Sequence, residues 1–294
     1  MSVDISLCMV SYNCREALRD CLDSLRSSLP QPTFEIILVD NVSKDGTLEM
    51  VKESYPEVTI LVNNENVGFL KGTNQAIKAS SGRYLLWLNP DTILRPDSLL
   101  NMTEALEKRP HAGIVGPKVL NQDGSFQPQC KRGLPTPLAS LCYMLHLDRI
   151  WPRHHTIGQY LLRYLPEDEP NLVDAVSGSC LMARREMVED IGLLDEDLKQ
   201  WGEDIEWCVR AKRKGWEVWY DPSSVIVHLK GKGGRHFAPY RAARDMHSTM
   251  WLFYCKYFRT DSSAITTLLV RGGISASLSL SLARIWVGRT FLQK

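Results

Sequence analysis

No G-x-G-x-x-G turn follows the first apolar run of this 294-residue chain, so the dinucleotide-binding fingerprint of dehydrogenases is missing. No glycine falls between residues 10 and 20, where a sugar-nucleotidyltransferase needs a glycine- and arginine-rich loop. The eight cysteines, at positions 8, 14, 21, 130, 142, 180, 208 and 255, form no C-x-x-C pair, so the sequence offers neither a zinc ribbon nor a thioredoxin-like motif. Charge of one sign is not in excess: 35 basic residues against 34 acidic give a net charge of +1, and no global field selects nucleic acid as a partner. Internal repeats are absent. No signal-peptide pattern opens the chain, because Asp4 interrupts the first residues and a strand follows. Several cysteines sit in apolar runs, such as Leu7-Cys8-Met9 and Ser179-Cys180-Leu181, and read as small buried hydrophobes of a reducing compartment. Together these features predict a protein of the cytosol or of the cytosolic face of a membrane.

What is present is a globular α/β chain, 44% apolar, long enough for one large domain and a smaller appendage. Apolar runs at Ile5–Val10 and Phe34–Val39 read as buried strands, and Val58–Val62 and Tyr84–Leu88 as a third and a fourth strand. Between them, Ala17, Leu18, Cys21, Leu22 and Leu25 recur at helical spacing over 15–28, with Pro30 and Pro32 as the stop, and further helices are predicted at about 47–54 and 72–80. Strands alternating with helices predict a parallel, doubly wound sheet with its ligand outside the carboxyl ends of the strands. From about 127 to 171 prolines break the pattern into short pieces. Order returns at Val173–Gly178, with helices at 184–190 and about 203–214, strands at 217–220 and 225–227, and a helical remainder.

Polar residues gather at the predicted strand ends. Asp40-Asn41 suits a nucleotide base or ribose, and equally an Asx turn leading into Gly46. Asn66-Val67-Gly68-Phe69, with Asn74 on the next helix, forms a second polar cluster where glycine lets backbone approach a ligand. Asn89-Pro90-Asp91 puts a carboxylate where Mg²⁺ or Mn²⁺ would accept oxygen ligands, or simply caps the strand. Glu203, Asp204 and Glu206 either suit the positive end of a helix or supply a general base and a supporting acid. His228 becomes a metal ligand only if the fold brings it to Asp91; otherwise it is a core histidine. Lys232 and Arg235, in a glycine-rich loop, either close over a diphosphate or lie in a solvated turn.

Taken in order, Val10-Ser11-Tyr12-Asn13, Val39-Asp40-Asn41 with Ser43, Asp45, Gly46 and Thr47, Asn66–Phe69, Asn89-Pro90-Asp91, and Ser177-Gly178 through Gly202-Glu203-Asp204 resemble family 2 of the GT-A glycosyltransferases. The likeness spans about residues 5–230 and is closest to bacterial rhamnosyltransferase-like members that build surface polysaccharide such as O-antigen. It implies a Rossmann-like, mostly parallel sheet flanked by helices. A catalytic domain would cover 1–235, nucleotide-binding to about 125 and acceptor-binding and catalytic beyond, with a helical segment at 236–294. It further implies that Asp40 contacts the base with Ser11, Tyr12, Asn13 and Asn41 nearby, that Asp91 and His228 hold Mg²⁺ or Mn²⁺, and that Asp204 is the base. The donor would be a nucleotide-diphosphate sugar, dTDP-rhamnose before UDP-sugars, the acceptor a glycan or lipid-linked glycan, and the outcome inversion. Asn89 replaces the first acid of the D-x-D motif, so the metal would lean on the diphosphate and His228. The Q-x-x-R-W signature of processive synthases is missing, which argues for one sugar at a time. An inactive sugar-nucleotide-binding homologue is the alternative, against which stands retention of Asp91, Asp204 and His228 together.

The tail, 262–294, carries Arg271, Arg284, Arg289 and Lys294 and no acid. Its longest uncharged internal stretch, Gly272–Ala283, falls short of the roughly 20 apolar residues a membrane span needs. Ile274, Leu278, Leu282 and Ile285 or Trp286 share a helical face, which suits a helix lying in an anionic membrane interface. Trp251, Phe253, Tyr254, Tyr257 and Phe258 add interfacial aromatics just upstream. Packing on the catalytic domain, a dimer contact, or a strand through the Ser-Leu run are the other readings.

Overall fold

The computed structural model describes residues 3–28, 32–198, 201–231 and 238–291, with side chains to Gly288. Pro30 lies outside the described residues. One half of the molecule follows the sequence pattern closely. Strands β1 (Ile5–Ser11), β2 (Phe34–Asp40), β3 (Val58–Val62) and β4 (Tyr84–Leu88) are parallel neighbours in the order β3-β2-β1-β4. Every residue of β1 and β4 is buried, as expected of strands covered by helices on both faces. Helix α1 (Arg15–Arg26) turns Ala17, Leu18, Cys21, Leu22 and Leu25 inward. Helix α2 (Thr47–Ser54) follows β2, and α3 starts at Phe69, three residues before the predicted start, and ends at Ala79.

The other half departs from a doubly wound parallel sheet. Short β5 (Thr92–Leu94) and helix α4 (Ser98–Glu107) lead to β6 (Ala112–Leu120). The pieces after Gln127 are a 3₁₀ turn at Pro128–Cys130, β7 (Lys131–Arg132), and helices α5 (Pro137–Met144) and α6 (Leu147–Ile150). The expected order at Val173–Gly178 reduces to β8 (Asn171–Leu172) and β9 (Ala175–Val176). The principal strand there is β10 (Cys180–Arg184), which runs antiparallel to both β4 and β6 and so reverses the sheet at its centre. Helices α7 (Arg185–Ile191) and α8 (Glu203–Arg213) follow. The two late strands expected at 217–220 and 225–227 are one strand, β11 (Glu217–His228), with a register shift between Asp221 and Val225. Pro222 explains the shift: it has no N–H for the ladder, and the chain bulges past it. The path through the sheet is β3-β2-β1-β4-β10-β6-β11-β5, with β8 beside β11.

Two helices follow the sheet. Helix α9 (Pro239–Tyr257) packs on the sheet unit through α8 and the turn after α7, and α10 (Ala264–Phe291) packs on α9 through His247 Nε2 and Ser277 Oγ (3.0 Å) and through the hydroxyls of Tyr254 and Thr267 (2.9 Å). This corrects the expected interfacial stripe. Ile274, Leu278, Leu282 and Ile285 are half-buried on the side of Thr267 and Ser277, facing α9. The open face of α10 carries Ile265, Leu268, Leu269, Leu280 and Trp286 instead. Among the described residues Ala264–Gly288, with a mean hydropathy of 1.3, is long and apolar enough to cross a membrane by length and composition, because Arg271 and Arg284 stand far apart in an otherwise apolar and small-residue helix; this corrects the expectation that the tail is too short to span.

Candidate functional site

The ends of β1 and β2 are tied together by their own polar side chains. Asp40 is buried and accepts from Ser11 Oγ (2.9 Å), Ser43 N (3.0 Å) and Ser43 Oγ (2.6 Å). Asn13 donates its N–H to Ser43 Oγ and accepts from Lys44 N. Asn41 donates to Gly68 O and accepts from Asn63 Nδ2, while Asn66 accepts the Gly68 N–H. Asn13 and Val42 both adopt left-handed φ (50° and 63°); for β-branched Val42 this is a strained conformation that the Asp40–Ser43 turn imposes. Tyr12, more than a third exposed, projects from this scaffold. Asn74 is not part of it. Its amide is fully used by Leu194 N, Leu194 O and Glu196, which fasten α3 to the turn after α7.

Asp91 and His228 meet. The pairing of β5 with β11 sets His228 opposite Thr92, Leu229 N donates to Asp91 O, and His228 Nε2 lies 3.2 Å from Asp91 Oδ1 with both side chains largely buried. Among the described residues no group of three His, Cys, Asp or Glu side chains forms, so these two stand as a pair. Asn89, two residues earlier, donates its N–H to Ser179 O.

Asp204 sits in the first turn of α8, behind Gly202 in a left-handed cap. Its Oδ2 accepts from Arg132 Nη2 and from Gly178 N (2.9 Å), and its Oδ1 from Ile205 N (2.8 Å), leaving Oδ1 room for another donor. Arg132 is buried and also donates to Val176 O. Burial opposes its charge, but the Asp204 carboxylate outweighs burial and holds the guanidinium more firmly protonated than usual. A Cβ on residue 178 would stand 2.8 Å from the Trp87 ring and 3.3 Å from Asp204 Cβ, so only glycine brings that N–H to the carboxylate. Trp87 in turn packs between Phe69 and Trp207. Glu203 encloses its Oε2 without a hydrogen-bond partner among the described residues. Burial first, and the Asp204 charge second, push its carboxyl up to about 7.

The two centres share a short segment: Gly178 donates to Asp204, while the next carbonyl, Ser179 O, receives Asn89 N (3.0 Å) and Thr92 Oγ1 (3.3 Å) on either side of Asp91. Lys232 and Arg235 lie outside the described residues. Nothing in the spacing around Arg132 marks it in the sequence; its only signal is basic character in an acid-poor stretch.

The family described as glycosyl transferase family 2 matches residues 6–192. The chain belongs to that family. As a family 2 glycosyltransferase it is 28% identical over 291 residues to the N-acetylglucosaminyl-diphospho-decaprenol L-rhamnosyltransferase of Mycobacterium tuberculosis, covering 91% of this chain and 93% of the relative. It is 27% identical over 217 residues to a low-salt glycan biosynthesis hexosyltransferase of Haloferax volcanii, covering 72% and 62%. Its fold is that of Staphylococcus aureus TarS in complex with UDP-GlcNAc, with a TM-score of 0.60 at 18% identity over 93% of this chain and 72% of that one. A mannosyltransferase of Pyrobaculum calidifontis in complex with GDP-Man and Mn²⁺ shares it at a TM-score of 0.59 and 17% identity, over 99% and 76%. The GT-A architecture of this family 2 enzyme is thereby established. The family match ends before Asp204 and His228.

Proposed function

We propose that this glycosyltransferase moves one sugar at a time, with inversion, from a nucleotide-diphosphate sugar to a glycan or lipid-linked acceptor of surface-polysaccharide synthesis. The observation that carries this reading is the Gly178-Ser179 segment, which fastens the base-bearing helix and the Asp91 turn to one another. The rhamnosyl transfer named for the mycobacterial relative puts dTDP-rhamnose first among donors, with UDP-sugars next. Residues 1–235 form the catalytic unit in this reading and 236–294 an appended helical segment.

Asp91 and His228 would hold Mg²⁺ or Mn²⁺, and the mixed oxygen and nitrogen donors of this buried pair fit such an ion. When bound, the cation neutralises charge that develops on the leaving diphosphate. The chain's own groups do the rest. Tyr12 and the Asp40–Ser43 turn receive the nucleoside, and Arg132 with Gly178 fixes the Asp204 carboxylate so that Oδ1 takes the proton of the attacking acceptor hydroxyl. Direct attack on the anomeric carbon breaks its bond to the diphosphate oxygen and inverts the configuration.

The test is release of nucleoside diphosphate from dTDP-rhamnose, UDP-sugars and GDP-mannose, with and without Mn²⁺, in the presence of a diphospholipid-linked glycan. Turnover of one donor, raised by the metal, is expected. Failure of every donor under all conditions overturns the reading.

A further inference from the structure

Helices α5 and α6 pack on each other and leave an apolar face without cover. Leu138, Leu141, Met144, Leu145, Ile150 and Trp151 are 36–63% exposed. The spacing explains it: Ala139 and Cys142 of α5 turn inward, while Leu138, Leu141 and Leu145 lie along the outer side. His146, in a left-handed conformation, turns the chain between the helices and carries the apolar stripe on to Ile150 and Trp151. Six large apolar side chains in one short surface segment are more than scattered surface hydrophobes.

The rim of this face is basic. Between Asp123 and Glu167 the only acid is Asp148, which is buried and paired with Arg163 (2.8 Å). Arg149 and Arg153 are exposed beside the apolar residues, with His154 and His155 next to them. The inner side leads to the reaction centre. Tyr143 of α5 packs on Tyr160 at 4.9 Å between ring centroids, and Tyr160 lies beside the Arg132–Asp204 pair.

We propose that the α5–α6 hairpin docks on an anionic lipid interface, seating Leu138, Leu141, Leu145, Ile150 and Trp151 at the acyl boundary and Arg149 and Arg153 at the headgroups. Apolar area flanked by exposed arginines, with no exposed acid in the 124–166 stretch that forms it, is the chemistry of an interfacial element. Tyr143 and Tyr160 link this hairpin to the Arg132–Asp204 pair, so docking there puts the membrane on the same side of the chain as the segment that leads to Asp204. The docking is a property of the surface; only what it serves rests on the glycosyl-transfer reading.

A polarity-sensitive fluorophore on Leu145→Cys in the full chain reports this face locally, apart from anything α10 does. Seven of the eight native cysteines are buried, and the unsubstituted chain taken through the same labelling gives the blank for Cys255. Vesicles of phosphatidylglycerol and phosphatidylcholine are expected to shift the emission to the blue, and phosphatidylcholine alone to do so weakly. Arg149→Ser with Arg153→Ser should lower the apparent vesicle affinity roughly 25-fold at low salt, about fivefold per basic residue. These two substitutions should leave transfer to a short, lipid-free acceptor unchanged. No shift on anionic vesicles overturns the proposal. A shift that needs only rising protein concentration also overturns it, in favour of a second copy of this chain. Sugar transfer without a shift removes the docking and leaves the enzyme; a shift without turnover of any sugar nucleotide removes the enzyme and leaves the docking.

Discussion

Asp204 is held by three donors on two oxygens, and the open position on Oδ1 is the one a hydroxyl needs. Asp204→Asn is nearly isosteric, so folding and donor binding should persist while turnover falls about two orders of magnitude or more. Single-turnover rates and thermal melting of the same preparation check both halves, and near-normal turnover would transfer the role to Glu203. Glu203 makes a separate, pH-dependent contribution. Its carboxyl, raised from 4.5 to about 7 by burial and then by Asp204, is protonated in the folded protein where it ionises in the unfolded chain. The folded state therefore loses stability as pH rises from about 4.5 to about 7, and the loss is constant above that. Glu203→Gln cannot ionise. Its melting temperature relative to the parent should rise across this window, and parallel melting curves would show that the buried carboxyl is not raised.

Strand ends and helix starts are the level at which the Asp91–His228 pair and the tail attachment are built. Asp91 and His228 reach each other because β5 folds back along β11, and neither strand alone holds both. Asp91→Ala should abolish the metal-dependent part of nucleoside-diphosphate binding, and His228→Ala should weaken it with the fold intact. Titration calorimetry with Mn²⁺ and the diphosphate reads both, and unchanged metal affinity in Asp91→Ala would defeat the site. On α8 the fully buried Glu206 ties its own helix to α9: Arg210 Nε (2.9 Å), Lys256 Nζ (2.6 Å) and the Tyr257 hydroxyl (2.6 Å) all donate to it, and Lys256 also reaches Asp195 (2.7 Å). The third carboxylate of the Glu203–Glu206 cluster is thus structural. Glu206→Ala leaves two cations beside an apolar gap and should cost about 3–5 kcal/mol. Urea unfolding measures that loss, with protease sensitivity rising first along α9.

At the scale of the whole molecule, the α9–α10 hairpin joins the sheet unit through α9, while the outer face of α10 stays apolar. We expect that face to lie on an anionic membrane surface. Replacing Ile265, Leu268 and Leu269, the most exposed apolar residues of α10, together by serine should move the protein toward the supernatant in co-sedimentation with anionic vesicles. Equal sedimentation of parent and variant at low salt would exclude α10 as an anchor.

Local periodicity determined a good part of this fold. The strands β1–β4, with β1 and β4 fully buried, the inward face of α1 and the polar residues at the strand ends follow from short-range spacing, because burial pattern and turn chemistry are encoded within a few residues. Strand β6 was not legible: Gly113, Gly116 and Pro117 read locally as breakers. A Cβ at Gly116 would meet Val176 at 2.5 Å, so the glycine answers a tertiary contact that no local window contains. The reversal at β10 was hidden for the same reason, since an apolar run states that it is buried and not which neighbour it pairs with or in which direction. Asp204 was legible as one of several carboxylates at a helix start. That Arg132, 72 residues earlier, pairs with it, and that His228 closes on Asp91, only the tertiary structure decided, because a polar side chain meets its partner through the path of the backbone between them.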